Sequence, residues 1–98
     1  MSESTFQTKL MNEIRSMFPG CIVFKVDPTF IQGFPDLMIL YKDRWATLEC
    51  KDHKKAKHRP NQDKRIKQLD DMSFAAFIYP ENKEEILDEL RKAFRSDR

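Results

Sequence analysis

The chain has 98 residues, 40% of them hydrophobic, and a formal net charge of +2. This length supports one hydrophobic core and is too short for a second, so a single domain over residues 1–98 is expected. It has no apolar run near the roughly 18 residues of a membrane helix, and its first residues lack the basic and apolar blocks of a secretion signal. A cytoplasmic protein without a membrane partner is therefore expected.

Hydrophobic periodicity changes along the chain between the three- to four-residue step of helices and the two-residue step of strands. Proline and glycine separate these segments. The predicted elements are a helix over residues 3–18, strands over 21–26, 36–41 and 45–51, a helix over 60–72, a strand over 74–79 and a helix from residue 82. The order αβββαβα predicts an α/β (α+β) domain with one mixed sheet and helices packed on it.

Each predicted helix has one apolar face and a residue suited to its start. Ser2 or Ser4 fits the cap of the first helix. Pro60 fits the first turn of the second helix, and Asn82 fits the cap of the third. The residues predicted to face the core are Phe6, Leu10, Ile14 and Met17 in the first helix, Ile66, Leu69 and Met72 in the second, and Ile86, Leu87, Leu90 and Phe94 in the third.

The second and third strands form a predicted hairpin with a two-residue loop. In the register in which Lys42 faces Trp45, all residue pairs on one face are apolar. The opposite face then carries Asp36 across from Lys51, with Glu49 close by. A slip of one residue would move Asp36 to the other face, because strand side chains alternate.

Two carboxylates and one ammonium are thereby predicted at one end of the hairpin. Asp36 and Glu49 are candidate magnesium ligands, and Cys50 would contribute its backbone carbonyl because hard cations prefer oxygen. Lys51 is a candidate catalytic residue that positions or deprotonates a water, or stabilises charge in the transition state. Metal-dependent phosphodiester hydrolysis requires such a set of groups.

Positive charge is concentrated directly after the predicted hairpin. Residues 51–67 contain eight Lys or Arg and two Asp, a local net charge of +6 that leaves −4 for the rest of the chain. A solvated surface is the plain interpretation, but the position beside the candidate site favours binding of a polyanionic backbone. The candidate nucleic-acid contacts are Lys54, Lys55, Lys57, His58 and Arg59.

The two cysteines are expected to be reduced and to pack as small apolar groups. A zinc site could be built from Cys21, Cys50, His53 and His58. It is disfavoured because no C-x-x-C or H-x-x-x-H pair begins it.

The run G-F-P-D-L at residues 33–37, followed by E-C-K at residues 49–51, resembles the PD-(D/E)XK nuclease superfamily. Within it, the chain is most similar to the VRR-NUC family of small viral and bacterial nucleases. This resemblance implies an αβββαβα core and a Mg²⁺- or Mn²⁺-dependent endonuclease that acts on DNA. It further implies branched substrates such as four-way junctions, and a homodimer.

Three more positions match the family pattern. Glu3 and Gln7 fit its early helical E-x-x-x-Q, and Gln62 fits its glutamine at the start of the second helix. The resemblance assigns Glu3 to metal binding and catalysis, Gln62 to catalysis and Gln7 to nucleic-acid contact. The simpler alternatives are a solvated first helical turn for Glu3 and an ordinary polar surface residue for Gln62.

Two other functions remain open from the sequence. One is a non-catalytic nucleic-acid-binding module that keeps a nuclease fold, for which the basic segment alone would account. The other is a structural or interaction domain, which requires the acidic residues, the lysine and the basic segment to be unrelated.

Overall fold

The computed structural model describes residues 1–95; residues 96–98 of the expected domain lie outside the described part. Its elements are α1 (Glu3–Met17), β1 (Ile22–Lys25), β2 (Leu37–Tyr41), β3 (Arg44–Cys50), α2 (Gln62–Met72), β4 (Phe74–Ile78) and α3 (Lys83–Arg95). The order αβββαβα and the mixed sheet confirm the predicted fold class. Within residues 1–95, none of the helices has the length and apolar character needed to cross a membrane.

The sheet has the strand order β1-β2-β3-β4. The first three strands pair antiparallel, and β4 pairs parallel with β3 after the crossover through α2. α1 and α3 pack on one face of the sheet, and α2 packs on the other through contacts with β4. The sheet is therefore covered on both sides where β3 lies, which buries its central residues.

The apolar faces of α1 and α3 are as predicted. The Ser2 hydroxyl accepts a hydrogen bond from the Thr5 backbone N–H at 3.1 Å and caps α1. Alternating strand residues complete the core beneath the two helices. The buried helical residues are Phe6, Leu10 and Ile14 in α1 and Ile86, Leu87, Leu90 and Phe94 in α3.

Two predictions for α2 are wrong. The helix begins at Gln62 and not at Pro60, because Asn61 adopts a left-handed conformation with φ of 69° immediately before it. Met72, predicted to be buried, is 64% exposed. It is the last residue of α2, where Ser73 makes the contact with the sheet by donating a hydrogen bond to the Trp45 carbonyl.

The hairpin register differs by two residues from the predicted one, since Tyr41 faces Arg44. The loop consists of Lys42 and Asp43, and Lys42 adopts a φ of 57°. Arg44 belongs to β3 instead of the loop, and its guanidinium donates to the Ala93 carbonyl of α3 at 3.1 Å. A two-residue shift preserves the side-chain alternation, so the predicted apolar and polar faces are unchanged.

The loop between β1 and β2 packs closely against the start of α2 at Gly33. Gly33 has a φ of 78°, and a Cβ added there would lie 2.8 Å from the Asn61 carbonyl oxygen. Replacing Gly33 by alanine is therefore expected to lower the free energy of unfolding by about 3 kcal/mol, through backbone strain and overpacking. Urea denaturation monitored by circular dichroism measures this loss.

Gly20→Ala is the matched control, because Gly20 also has a positive φ, of 90°, but among residues 1–95 no atom beyond its chain neighbours lies within 4 Å of the added Cβ. It is expected to cost about 1 kcal/mol, from backbone strain alone. Equal losses in the two variants would contradict the close approach of the loop to α2.

Candidate active site

The three side chains predicted to form the site lie together at one end of β2 and β3. Leu37 faces Leu48, so Asp36 and Glu49, the next residues outward, lie across from each other. The Cys50 backbone N–H donates to Asp36 Oδ2 at 2.9 Å. Asp36 therefore faces Glu49 and not Lys51, a consequence of the two-residue difference in register.

The Lys51 ammonium is buried and has three oxygen neighbours. Nζ donates to Gln62 Oε1 at 2.8 Å and to the Lys57 carbonyl at 3.2 Å. It also lies 3.5 Å from Glu49 Oε2. These two hydrogen bonds and one ion pair hold the side chain in one orientation.

Gln62 joins the helix α2 to the site. Its Oε1 accepts both from Lys51 Nζ and from the Arg59 backbone N–H, each at 2.8 Å. Gln62 is buried, as its place on the inward stripe of α2 predicts. The contact of Lys51 with the Lys57 carbonyl was not predictable, because no side-chain pattern marks a backbone oxygen in an irregular loop.

Glu49 is the most perturbed acid of the site. It is 3% exposed, and its Oε1 has no hydrogen-bond partner among the described residues. Burial, followed by the charge of Asp36, raises the pKa of Glu49 to about 7, while the Lys51 ammonium opposes the rise. Glu49 therefore changes its charge near neutral pH, and its free oxygen can accept a further partner.

The donor atoms of the site suit a hard divalent cation. Mg²⁺ is held in proteins by one or two carboxylates together with waters, and Asp36 and Glu49 supply two. The Cys50 backbone carbonyl is adjacent in sequence to Glu49 and offers a further oxygen. The unpaired buried Oε1 of Glu49 is the kind of acceptor that a cation satisfies. Within residues 1–95, no group of three Asp, Glu, His or Cys side chains forms a metal-binding set, so the set rests on these two acids.

Glu3 and Gln7 lie at the edge of this cluster, at the start of α1. Glu3 is exposed, and partial burial followed by the charge of Asp36 raises its pKa. The charge of Asp36 therefore acts on Glu3, but Glu3 is exposed and is not part of the pair formed by Asp36 and Glu49. Gln7 is half-buried and lies near the Cys50 thiol, whose pKa is raised by burial. The nucleic-acid contact of Gln7 stays a prediction.

A cleft of about 200 Å³ opens onto the two carboxylates. Asp36 and Glu49 line it together with residues of the β1–β2 loop and of the segment before α2. Gln32 of that loop was not singled out from the sequence. Its only signal is the adjacent G-x-P turn, which places the loop beside Asp36.

The basic residues between Lys54 and Arg59 are exposed, but they differ in their contacts. Arg59 lines the cleft. His58 is held by the protein, because its Nδ1 lies 2.7 Å from Asp63 Oδ1 and its ring stacks on Phe77 at 4.0 Å. Of the predicted nucleic-acid contacts, Arg59 is therefore placed at the cleft, whereas His58 fixes the loop that carries it.

In comparisons with known proteins, no family model, curated protein or solved structure matches this chain. The function of the site is accordingly inferred from its own residues.

Proposed function

We propose that this protein is a metal-dependent DNA endonuclease that hydrolyses phosphodiester bonds. The observation that carries the proposal is the pairing of the Asp36 and Glu49 carboxylates beside a buried Lys51 ammonium, at the opening of a cleft. Each of these groups was expected from the sequence motifs, and their proximity supports a shared role in one reaction.

Asp36, Glu49 and the Cys50 backbone carbonyl would hold Mg²⁺ or Mn²⁺. When bound, the cation would relieve the negative charge of the phosphate and make a nearby water more acidic. Asp36 is oriented for this role by the hydrogen bond that the Cys50 backbone N–H donates to its Oδ2.

Lys51 supplies positive charge to the developing transition state. Its Nζ lies within 3.5 Å of oxygen atoms of Gln62, Lys57 and Glu49. Because Nζ donates to two acceptors and forms an ion pair with the Glu49 carboxylate, we assign Lys51 to charge stabilisation and orientation. Gln62 is a positioning residue, because it acts on the reaction through Lys51.

The surroundings of the cleft favour a nucleic-acid substrate. Arg59 lines the cleft, and the segment 51–67 carries a net charge of +6. Phe30, in the loop that borders the cleft, is 82% exposed. An exposed aromatic ring can stack on an unpaired base, which supports branched or distorted DNA as the substrate.

The homodimer rests on the family resemblance, and a two-fold assembly would place two sites on a symmetric junction.

A cleavage assay tests the proposal. Purified protein is incubated with end-labelled four-way junction, flap, duplex and single-stranded DNA. Each reaction contains either EDTA or 5 to 10 mM Mg²⁺, a concentration on the order of that which saturates weak magnesium sites. The Asp36→Asn variant, purified in parallel, is the control for a contaminating nuclease. We expect cleavage that requires the metal and Asp36, with the junction cut fastest.

DNA binding without cleavage would contradict the proposed nuclease activity. Parent protein that binds these DNAs without cutting them, and that shows no heat of Mg²⁺ or Mn²⁺ binding in calorimetry, would replace the nuclease by a non-catalytic binding module.

A further inference from the structure

A second cavity, of about 290 Å³, lies along α2 outside the cleft that opens onto the carboxylates. We call it the α2 groove. It is lined by Asn61, Lys64, Arg65 and Gln68. These residues are spaced by three and four positions and so share one face of the helix start and its first turns. The α2 groove is thus a continuous polar surface on one side of α2.

The lining of the α2 groove carries two positive charges, from Lys64 and Arg65, and no negative one. The acidic residues of α2 are engaged elsewhere. Asp63 pairs with His58, Asp70 accepts from the Ala75 backbone N–H, and Asp71 pairs with Lys67. The positive charge in the groove is therefore not neutralised by the acids of its own helix.

One N–H donor of Arg65, a residue that lines this groove, has no acceptor among the described residues. Its Nη1 donates to Gln68 Oε1 at 2.8 Å, whereas its Nε is buried and has no acceptor among the described residues. A buried N–H without a partner costs free energy. Phosphate oxygens bind a guanidinium through two N–H donors, so a phosphate group in the groove would pair with Arg65, and a side-chain shift that exposes Nε would give this donor an acceptor as well.

The α2 groove adjoins the catalytic cleft. Asn61 lines the groove and donates from Nδ2 to Gln32 Oε1 at 3.1 Å, and Gln32 lines the cleft. Gln62, the next residue after Asn61, also lines the cleft. A ligand that extends from the cleft can therefore pass over the Asn61–Gln32 contact into the groove.

We propose that the α2 groove binds a second phosphate group of the same nucleic-acid strand whose reacting phosphate lies in the cleft. The inference rests on the proposed function for the position of the reacting phosphate. Lys64 and Arg65 bind the strand backbone, which fixes its direction across α2 and carries no sequence specificity.

Fluorescence anisotropy with a labelled oligonucleotide tests the assignment, using Lys64→Gln and the double variant Lys64→Gln/Arg65→Gln. We expect the double variant to raise Kd about tenfold and to reduce the slope of log K against log salt by about 1, the value for one phosphate contact. The effect on cleavage is expected in KM more than in kcat. Lys64→Gln alone is expected to raise Kd about threefold, and it tests the groove without altering the half-buried Arg65.

Lys67→Gln is the matched control, because Lys67 lies on the same helix, is 80% exposed and pairs with Asp71 on the helix surface. It removes the same charge outside the groove and is expected to leave Kd within twofold of the parent. If the groove variants and Lys67→Gln bind with the same affinity and salt dependence, the assignment is overturned.

The result separates this inference from the proposed function. Protein that binds DNA through Lys64 and Arg65 without cutting supports the groove and overturns only the nuclease. Protein that cuts DNA with binding unaffected in the groove variants overturns only the groove. Inorganic phosphate that shifts the NMR signals of Lys64 and Arg65 at concentrations as low as the oligonucleotide does would mark a free-phosphate site and overturn the strand assignment.

Discussion

Lys51→Met is expected to lower kcat for DNA cleavage by about 10²- to 10³-fold, the range for losing one preorganised charge-stabilising group. The substitution removes the ammonium group that pairs with Glu49 beside the cleft. It also removes the positive charge that holds down the pKa of Glu49, so a larger fraction of Glu49 becomes protonated at neutral pH. Single-turnover cleavage at saturating protein measures the rate constant of the cleavage step, without contributions from substrate affinity or product release; we expect the same reduction in this rate constant.

Lys67→Met, the same chemical change on the exposed surface of α2, is expected to keep parental activity. Circular dichroism and thermal unfolding establish that Lys51→Met is folded, and Gln62 Oε1 keeps its bond from the Arg59 N–H in that variant. A folded Lys51→Met protein that cuts within tenfold of the parental rate would remove Lys51 from the reaction.

The sequence predicted the site because the hairpin obeys a simple alternation. Leu37 and Ile39 fall on the buried face, so Asp36 must lie on the opposite one. Glu49 shares that face for the same reason on β3. The face on which a strand side chain lies depends only on the two-residue period of the strand. The predicted faces are therefore correct although the predicted register differs by two residues.

Features set by tertiary contacts were not predictable in this way. The hairpin loop falls one residue earlier than expected because Arg44 is anchored to the Ala93 carbonyl of α3, which is remote in sequence. The start of α2 moved to Gln62 because Asn61 takes a left-handed conformation against Gly33. The hydrogen bond from Lys51 Nζ to the Lys57 carbonyl depends on the path of an irregular loop.

Glu49→Gln is expected to stabilise the metal-free protein at pH 8 by up to about 3 kcal/mol, from a pKa difference between 4.5 and about 7 at 1.36 kcal/mol per unit. The folded protein binds the Glu49 proton more tightly than the unfolded chain does. Stability of the parent therefore falls as pH rises from 4.5 to 7 and stays low above 7. Glutamine mimics the protonated side chain, so the variant lacks this decline.

Urea denaturation from pH 5 to pH 8 in EDTA measures the difference, which should be small at pH 5 and largest at pH 8. Glu84→Gln, at an exposed position that pairs with Lys83, serves as the control and should not change the pH dependence. Mg²⁺ favours the ionised carboxylates, so at a hundredfold excess over Kd it should stabilise the parent at pH 8 by about 2.7 kcal/mol and Glu49→Gln by much less. A parent-to-variant difference that is constant across pH, together with equal stabilisation of both by Mg²⁺, would show that Glu49 is neither a strained carboxylate nor a metal ligand.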